Sequence, residues 1–182
     1  INNQLITLCQ APVGASASTK FLDWLINYGV KQVLSVGNAG ALDNLPENTM
    51  FVPQEAIRGE GTSFYYKEPS KIIALDKNFV RRVENEIKNL GFQYEKGTTW
   101  TTDGFFRETP NQVLQAKKLG AKTVEMECSA LAACAEFRNI SFAQILFTAD
   151  SLADMDNYDK RNWGHDSYSV SLNIGSQVLA SL

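Results

Sequence analysis

Ser18–Leu42 reads STKFLDWLINYGVKQVLSVGNAGAL. Two kinds of patterning meet in it. Phe21, Leu22 and Leu25 share one helical face, and Gly29 supplies the residue that most easily takes the left-handed conformation ending a helix. Directly after it, Val30–Val36 is a short valine-rich run with the composition of a strand, and it leads into Gly37-Asn38-Ala39-Gly40. Upstream, Gln4–Cys9 reads as a buried strand, joined to the helix by the small-residue loop Ala11–Ser18. A strand, a helix and a strand this close together predict a β-α-β unit, and so a parallel or mixed sheet.

The rest of the chain extends that unit. Met50–Gly59 reads as a strand with a turn at Gly59–Gly61, and the polar, aromatic stretch Thr62–Lys71 as a loop. Lys77–Gly91 is an amphipathic helix, with Phe79, Val80, Val83 and Ile87 spaced for one face. Tyr94–Phe106 reads as a strand running into a loop. Thr109-Pro110 opens a helix, with Thr as N-cap and Pro in its first turn. A further helix is predicted from about Cys128 to Phe137, and a buried strand over Ser141–Asp150. The polar segment Ser151–Asp166 then leads to a last helix over about Tyr168–Leu182. No internal repeat, low-complexity tract or interdomain linker interrupts this order. The expectation is one α/β domain over residues 1–182, with a mixed central β-sheet flanked by helices.

Composition narrows the classes. The 182 residues suffice for a substantial core, and a net charge of −3 leaves no overall footprint for nucleic acid or an anionic membrane. No apolar run approaches the roughly 20 residues that span a bilayer, and no signal peptide is visible. Cys9, Cys128 and Cys134 lack metal-ligand spacing and lie in apolar segments, so buried free thiols in a reducing cytoplasm are expected. The chain starts at Ile1 and almost directly on a strand-like run, which leads us to expect a further segment upstream.

In an open α/β sheet, ligands bind beyond the carboxyl ends of the strands. Four such ends carry unusual residues: Val36–Gly40, Thr101–Glu108, Val124–Cys128 and Thr148–Ser151. The Gly37–Gly40 stretch offers backbone N–H groups with little side-chain obstruction, as an anion nest or as a plain turn. Asp150, after an apolar strand, stands where an acid could exchange a proton or cap a turn. Glu125 and Glu127 flank Met126 at a strand-to-helix corner, where alternate residues face opposite ways; one acid can enter a pocket while the other is structural. Phe105 and Phe106 are a core pair or a surface for a flat ring. His165, the only histidine, lies in a polar stretch and reads as a surface residue, which argues against a histidine triad or a metal site.

These segments carry a resemblance. GVKQVLSVGNAGAL, WTTDGFFRE, VEMECSAL and ILFTADSL, in that order, resemble the nucleoside phosphorylase/uridine phosphorylase family, which includes the methylthioadenosine/S-adenosylhomocysteine nucleosidases. The likeness covers nearly the whole chain. It implies a pentosyltransferase that cleaves the N-glycosidic bond of a nucleoside to free base and ribose 1-phosphate. By that likeness Glu127 takes the ribose hydroxyls, Met126 lines the sugar, and Glu125 lies near the base or supports its loop. Phe105 packs against the base, and Asp150 is the acid that assists a purine leaving group. Asn38, Ala39 and Gly40 bind phosphate, which is a co-substrate; no cofactor or metal is implied. The family likeness also implies a homo-oligomer, a dimer or a trimer of dimers.

The sequence departs from the family in places. Ser35 stands where the phosphorylases usually carry an arginine, and the family's other phosphate contacts are expected upstream of Ile1. Arg107, Arg161 and Arg58 are the guanidinium groups that could compensate, with Arg107 counted among the substrate-binding residues. The Gln/Arg pair typical of uridine specificity lacks its spacing, and Asp150 favours a purine. Three readings stay open: a phosphorylase, a nucleosidase using water, and a nucleoside-binding protein without turnover.

Overall fold

The computed structural model describes residues 6–182. Its first element is helix α1 (Ala15–Asn27), followed by β1 (Gln32–Ala41), β2 (Met50–Gly59), β3 (Ile72–Ala74), α2 (Lys77–Asn89), β4 (Glu95–Thr102), α3 (Pro110–Lys118), β5 (Ala121–Glu125), α4 (Cys128–Phe137), β6 (Ser141–Ser151) and α5 (Ser167–Ser181). The sheet is mixed, in the order β3-β2-β4-β5-β1-β6. β1 runs parallel to β6, and β4 parallel to both β2 and β5, whereas β1–β5 and β2–β3 are antiparallel.

This sheet is not open. The start of β2 pairs antiparallel with β6, Met50 opposite Phe147 and Phe51 opposite Leu146, so five strands form a ring with β3 appended outside it. Side-chain alternation fits the closure. Phe51, Leu146, Ala39 and Ala41 form one small cluster, while their neighbours Met50, Val52, Ile145 and Phe147 pack with the helices. The main core gathers Phe79, Val83 and Ile87 of α2, Leu131 and Cys134 of α4, and Ile174 and Val178 of α5. On another side α3 rests Val113 and Ala116 against Trp100 and Val124.

Helix ends follow local chemistry. The Asp76 carboxylate accepts from the N–H groups of Asn78 and Phe79 at 3.0 and 3.1 Å, which starts α2. At α3, Gln112 Oε1 accepts from the Thr109 N–H and O–H groups.

Four expectations need correction. The strand anticipated at Gln4–Cys9 has its first two residues outside the described ones, and Ile6–Cys9 forms no strand. Leu8 and Cys9 are exposed, so only Cys128 and Cys134 are buried thiols. The run has strand composition but no pairing partner among the described residues, and composition alone cannot satisfy backbone groups. Gly37–Gly40 is no free turn: it continues β1, in register with Leu146, Phe147 and Thr148 of β6. Finally, the Thr62–Lys71 loop starts with a 3-10 turn at Thr62–Tyr65 and delivers the short strand β3, too brief to show a period of its own.

Candidate active site

At the far end of β1, Gly40 pairs with Val124 and Ala41 with Thr123 of β5, antiparallel. The carboxyl ends of β1 and β5 therefore meet, and β6 ends beside them at Asp150-Ser151. The approach is close. A methyl group at Gly40 would lie 3.0 Å from Val124 Cγ1 and 3.3 Å from Asp150 Oδ1, so any side chain there would push its neighbours aside. From Ser35 to Ala39 the other edge of β1 has no strand partner among the described residues and borders a cleft of about 510 Å3, a ligand-sized space. An unpaired strand edge offers backbone N–H and C=O groups.

The cleft gathers Asn38, Ala39, Gly40, Phe105, Glu125, Met126, Glu127 and Asp150, eight of the nine anticipated site residues. Arg107 is not among its lining residues, and the local geometry explains why. Phe105–Arg107 is a 3-10 turn, in which residues three apart eclipse one another. Phe105 and Glu108 line the cleft; Phe106 and Arg107 point elsewhere and are exposed. Nor do the other two arginines line it. Arg58 is consumed by Ser63 Oγ, Ser70 Oγ and the carbonyls of Lys67 and Glu68, and Arg161 donates to the carbonyls of Leu45 and Ala149. His165 is exposed, as expected.

Both glutamates of the corner line the cleft, and they differ in burial and partners. Glu125 is buried at 5% exposure; it accepts from Thr101 Oγ1 at 2.6 Å and from the N–H groups of Glu127 and Cys128 at 2.7 Å each. It thus caps α4 from below. Burial, then the charge of Glu127, push its pKa up to about 7 against those hydrogen bonds. Glu127 is half-buried and accepts from the Gly14 N–H at 2.6 Å, at the N-terminus of α1. Burial raises its pKa, and the Gly14 and Met126 N–H groups pull it back. Asp150 is 4% exposed and accepts from Tyr158 O–H at 3.0 Å; burial again raises its pKa, opposed by that hydrogen bond and by Arg161.

A family model described as "Phosphorylase superfamily" matches residues 1–178. The chain belongs to the phosphorylase superfamily. Within that superfamily it is 25% identical over 162 residues to a "Purine nucleoside phosphorylase DeoD-type" of Streptococcus thermophilus, covering 85% of this chain and 66% of the relative. A protein of the same description from Streptococcus pyogenes is 26% identical over 164 residues, with the same coverage. The chain thus spans about two thirds of their length, at 66%. Among solved structures, the AMP nucleosidase of Bacteroides thetaiotaomicron superposes with a TM-score of 0.74 at 22% identity, over 92% of this chain and 67% of that one, a likeness of fold. No helix among the described residues is long and apolar enough to cross a membrane.

Several lining residues of this superfamily member were not anticipated. Glu108 follows Phe105 by three, and burial, then the charge of Asp150, push its pKa up to about 7. Gln144 interrupts the apolar run of β6; it is 2% exposed, and its Oε1 has no hydrogen-bond partner among the described residues. A lone polar residue in an apolar strand was the available signal. Trp163 and Tyr168 come from the polar segment and the start of α5, where nothing in the spacing marked them. Asn38 lines the cleft, but its side-chain amide serves that same segment: Nδ2 donates to the Trp163 carbonyl and Oδ1 accepts from Ser167 Oγ, both at 3.3 Å.

Proposed function

We propose that the chain catalyses phosphorolysis of a purine nucleoside, releasing the base and ribose 1-phosphate. The observation that carries this reading is that Glu127, from the corner between β5 and α4, and Asp150, from the end of β6, line one cleft. As the C1′–N bond breaks, its electron pair goes to the base and positive charge gathers on the ribose. Glu127, ionised, accepts from the ribose hydroxyls and stabilises that charge. Asp150 keeps a proton to higher pH than an ordinary aspartate and gives it to the base, which leaves neutral. A phosphate oxygen then bonds to C1′. Phe105 packs on the base, Met126 on the sugar, and Glu125 holds the corner that presents Glu127. Asn38 and Ala39 would meet phosphate through the edge of β1 that has no strand partner among the described residues, with Gly40 at the end of that edge, since the Asn38 amide is engaged elsewhere. The likeness to the streptococcal purine nucleoside phosphorylases supports a purine substrate and phosphate as acceptor.

One observation favours a second reading, hydrolysis. Among the described residues no Lys, Arg or His lines the cleft, whereas the unpaired Gln144 carbonyl, opposite Ser35 across the β1–β6 pair, suits a water or hydroxyl donor. The test is base release from inosine, adenosine, uridine and methylthioadenosine with and without phosphate. Release that needs phosphate and yields ribose 1-phosphate is expected. Equal release in phosphate-free buffer selects hydrolysis, and saturable binding with no release overturns both.

A further inference from the structure

The segment after β6 is a built strap. Ser151 and Asp159 exchange backbone hydrogen bonds at 2.8 and 3.2 Å, closing its first half into a loop. In its second half Glu47 Oε1 accepts from the N–H groups of Asn162 and Gly164, both at 2.9 Å, and Arg161 Nη2 donates to the Leu45 carbonyl at 2.7 Å. Gly164, at φ 65°, is packed so closely that a methyl group there would lie 3.0 Å from Asn38 Nδ2 and 3.2 Å from Ala149 Cβ. Between these anchors Trp163 is held at φ 56°, a conformation that a bulky residue takes only when its surroundings impose it. The result is an indole that lines the cleft at 43% exposure, facing Phe105 at 37%. Their ring centroids are 6.4 Å apart, with planes inclined by 41°. Two van der Waals contacts in series span about 7 Å, so the two rings take a flat heterocycle between them by turning parallel and parting by about half an ångström.

We propose that Trp163 is the second wall of the base slot, gripping a flat purine against Phe105, and that Glu47 is a positioning residue acting through the strap. This rests on the purine-nucleoside reading above. Binding of free adenine and hypoxanthine by calorimetry, with KM and kcat for the nucleoside, tests it. Trp163→Ala should weaken free-base binding by about 10-fold, within the range of base–aromatic stacking, and raise KM alike while kcat changes little. Trp163→Phe should restore most of the affinity, which loss of folding would not allow. Glu47→Ala should move KM in the same direction by less, and ribose 1-phosphate binding should be unaffected in all three. If the wild-type protein binds a base and Trp163→Ala binds it equally well, or if Phe fails to rescue, the clamp is wrong and the purine reading stands. A wild-type protein that binds no base overturns both.

Discussion

Because the Gly14 N–H needs only one oxygen of Glu127, an amide at that position keeps the tether to α1 and loses only the charge. Glu127→Gln should therefore lower kcat/KM by about 100-fold, or about 2.7 kcal/mol of transition-state stabilisation, while thermal unfolding moves by no more than about 4 °C. Enzyme kinetics beside calorimetry checks both halves. Glu125 gives the opposite pattern. Three donors converge on its two oxygens, and an amide can answer only some of them, so Glu125→Gln should cost about 1–3 kcal/mol of stability. Its pKa is raised from 4.5 to about 7 by folding, so the folded chain holds more protons than the unfolded one between those values. The stability tied to this group is present at low pH and fades as pH rises through about 7. Glu108 titrates in the same window, so the useful quantity is the difference in slope between wild type and Glu125→Gln in urea melts across pH 5–8. Asp150 has the same sign for activity: turnover that needs its proton should fall as pH rises through its elevated pKa. Asp150→Asn should abolish that limb and harm purine substrates more than pyrimidine ones, measured as kcat/KM against pH.

Elements are set by neighbours as much as by their own residues. The Asp76 cap stands at the edge of the main core, where α2 contributes Phe79, Val83 and Ile87. Asp76→Ala should cost about 1 kcal/mol, a fall in Tm of about 2–4 °C with activity unchanged. That helix was legible because its apolar period and its closing Gly91 agree; the Asp76 cap emerged only with the structure. The same holds for α3, with Thr109 before Pro110, and for α4, whose start at Cys128 follows the two acids. The four strand ends that converge on the cleft could also be read, since each joined an apolar run to polar or small residues. What escaped was set by pairing across the chain. Leu8 and Val36 sit in similar runs, yet among the described residues only the second finds a strand beside it. Gly37–Gly40 looks like a turn, and β6 makes it strand. Trp163 enters the cleft because Glu47 and Leu45, over a hundred residues earlier, hold the backbone around it.

At the scale of the molecule, the ring of five strands is the feature on which the cleft depends, for it brings the ends of β1, β5 and β6 to one place. β6 is common to both closures, pairing with β1 along its length and with the start of β2. A chain cut after Ile140 should accordingly show no cooperative thermal transition, by calorimetry or far-ultraviolet dichroism. The ring also imposes a delay at birth. Gln32 of β1 meets Ser141 of β6, so a ribosome must add more than a hundred residues before the earliest strand finds its longest partner. At about 5–20 residues per second that is several seconds to some twenty seconds with a valine-rich edge uncovered, long enough for a chaperone to bind it and for overexpression in the warm to end in inclusion bodies.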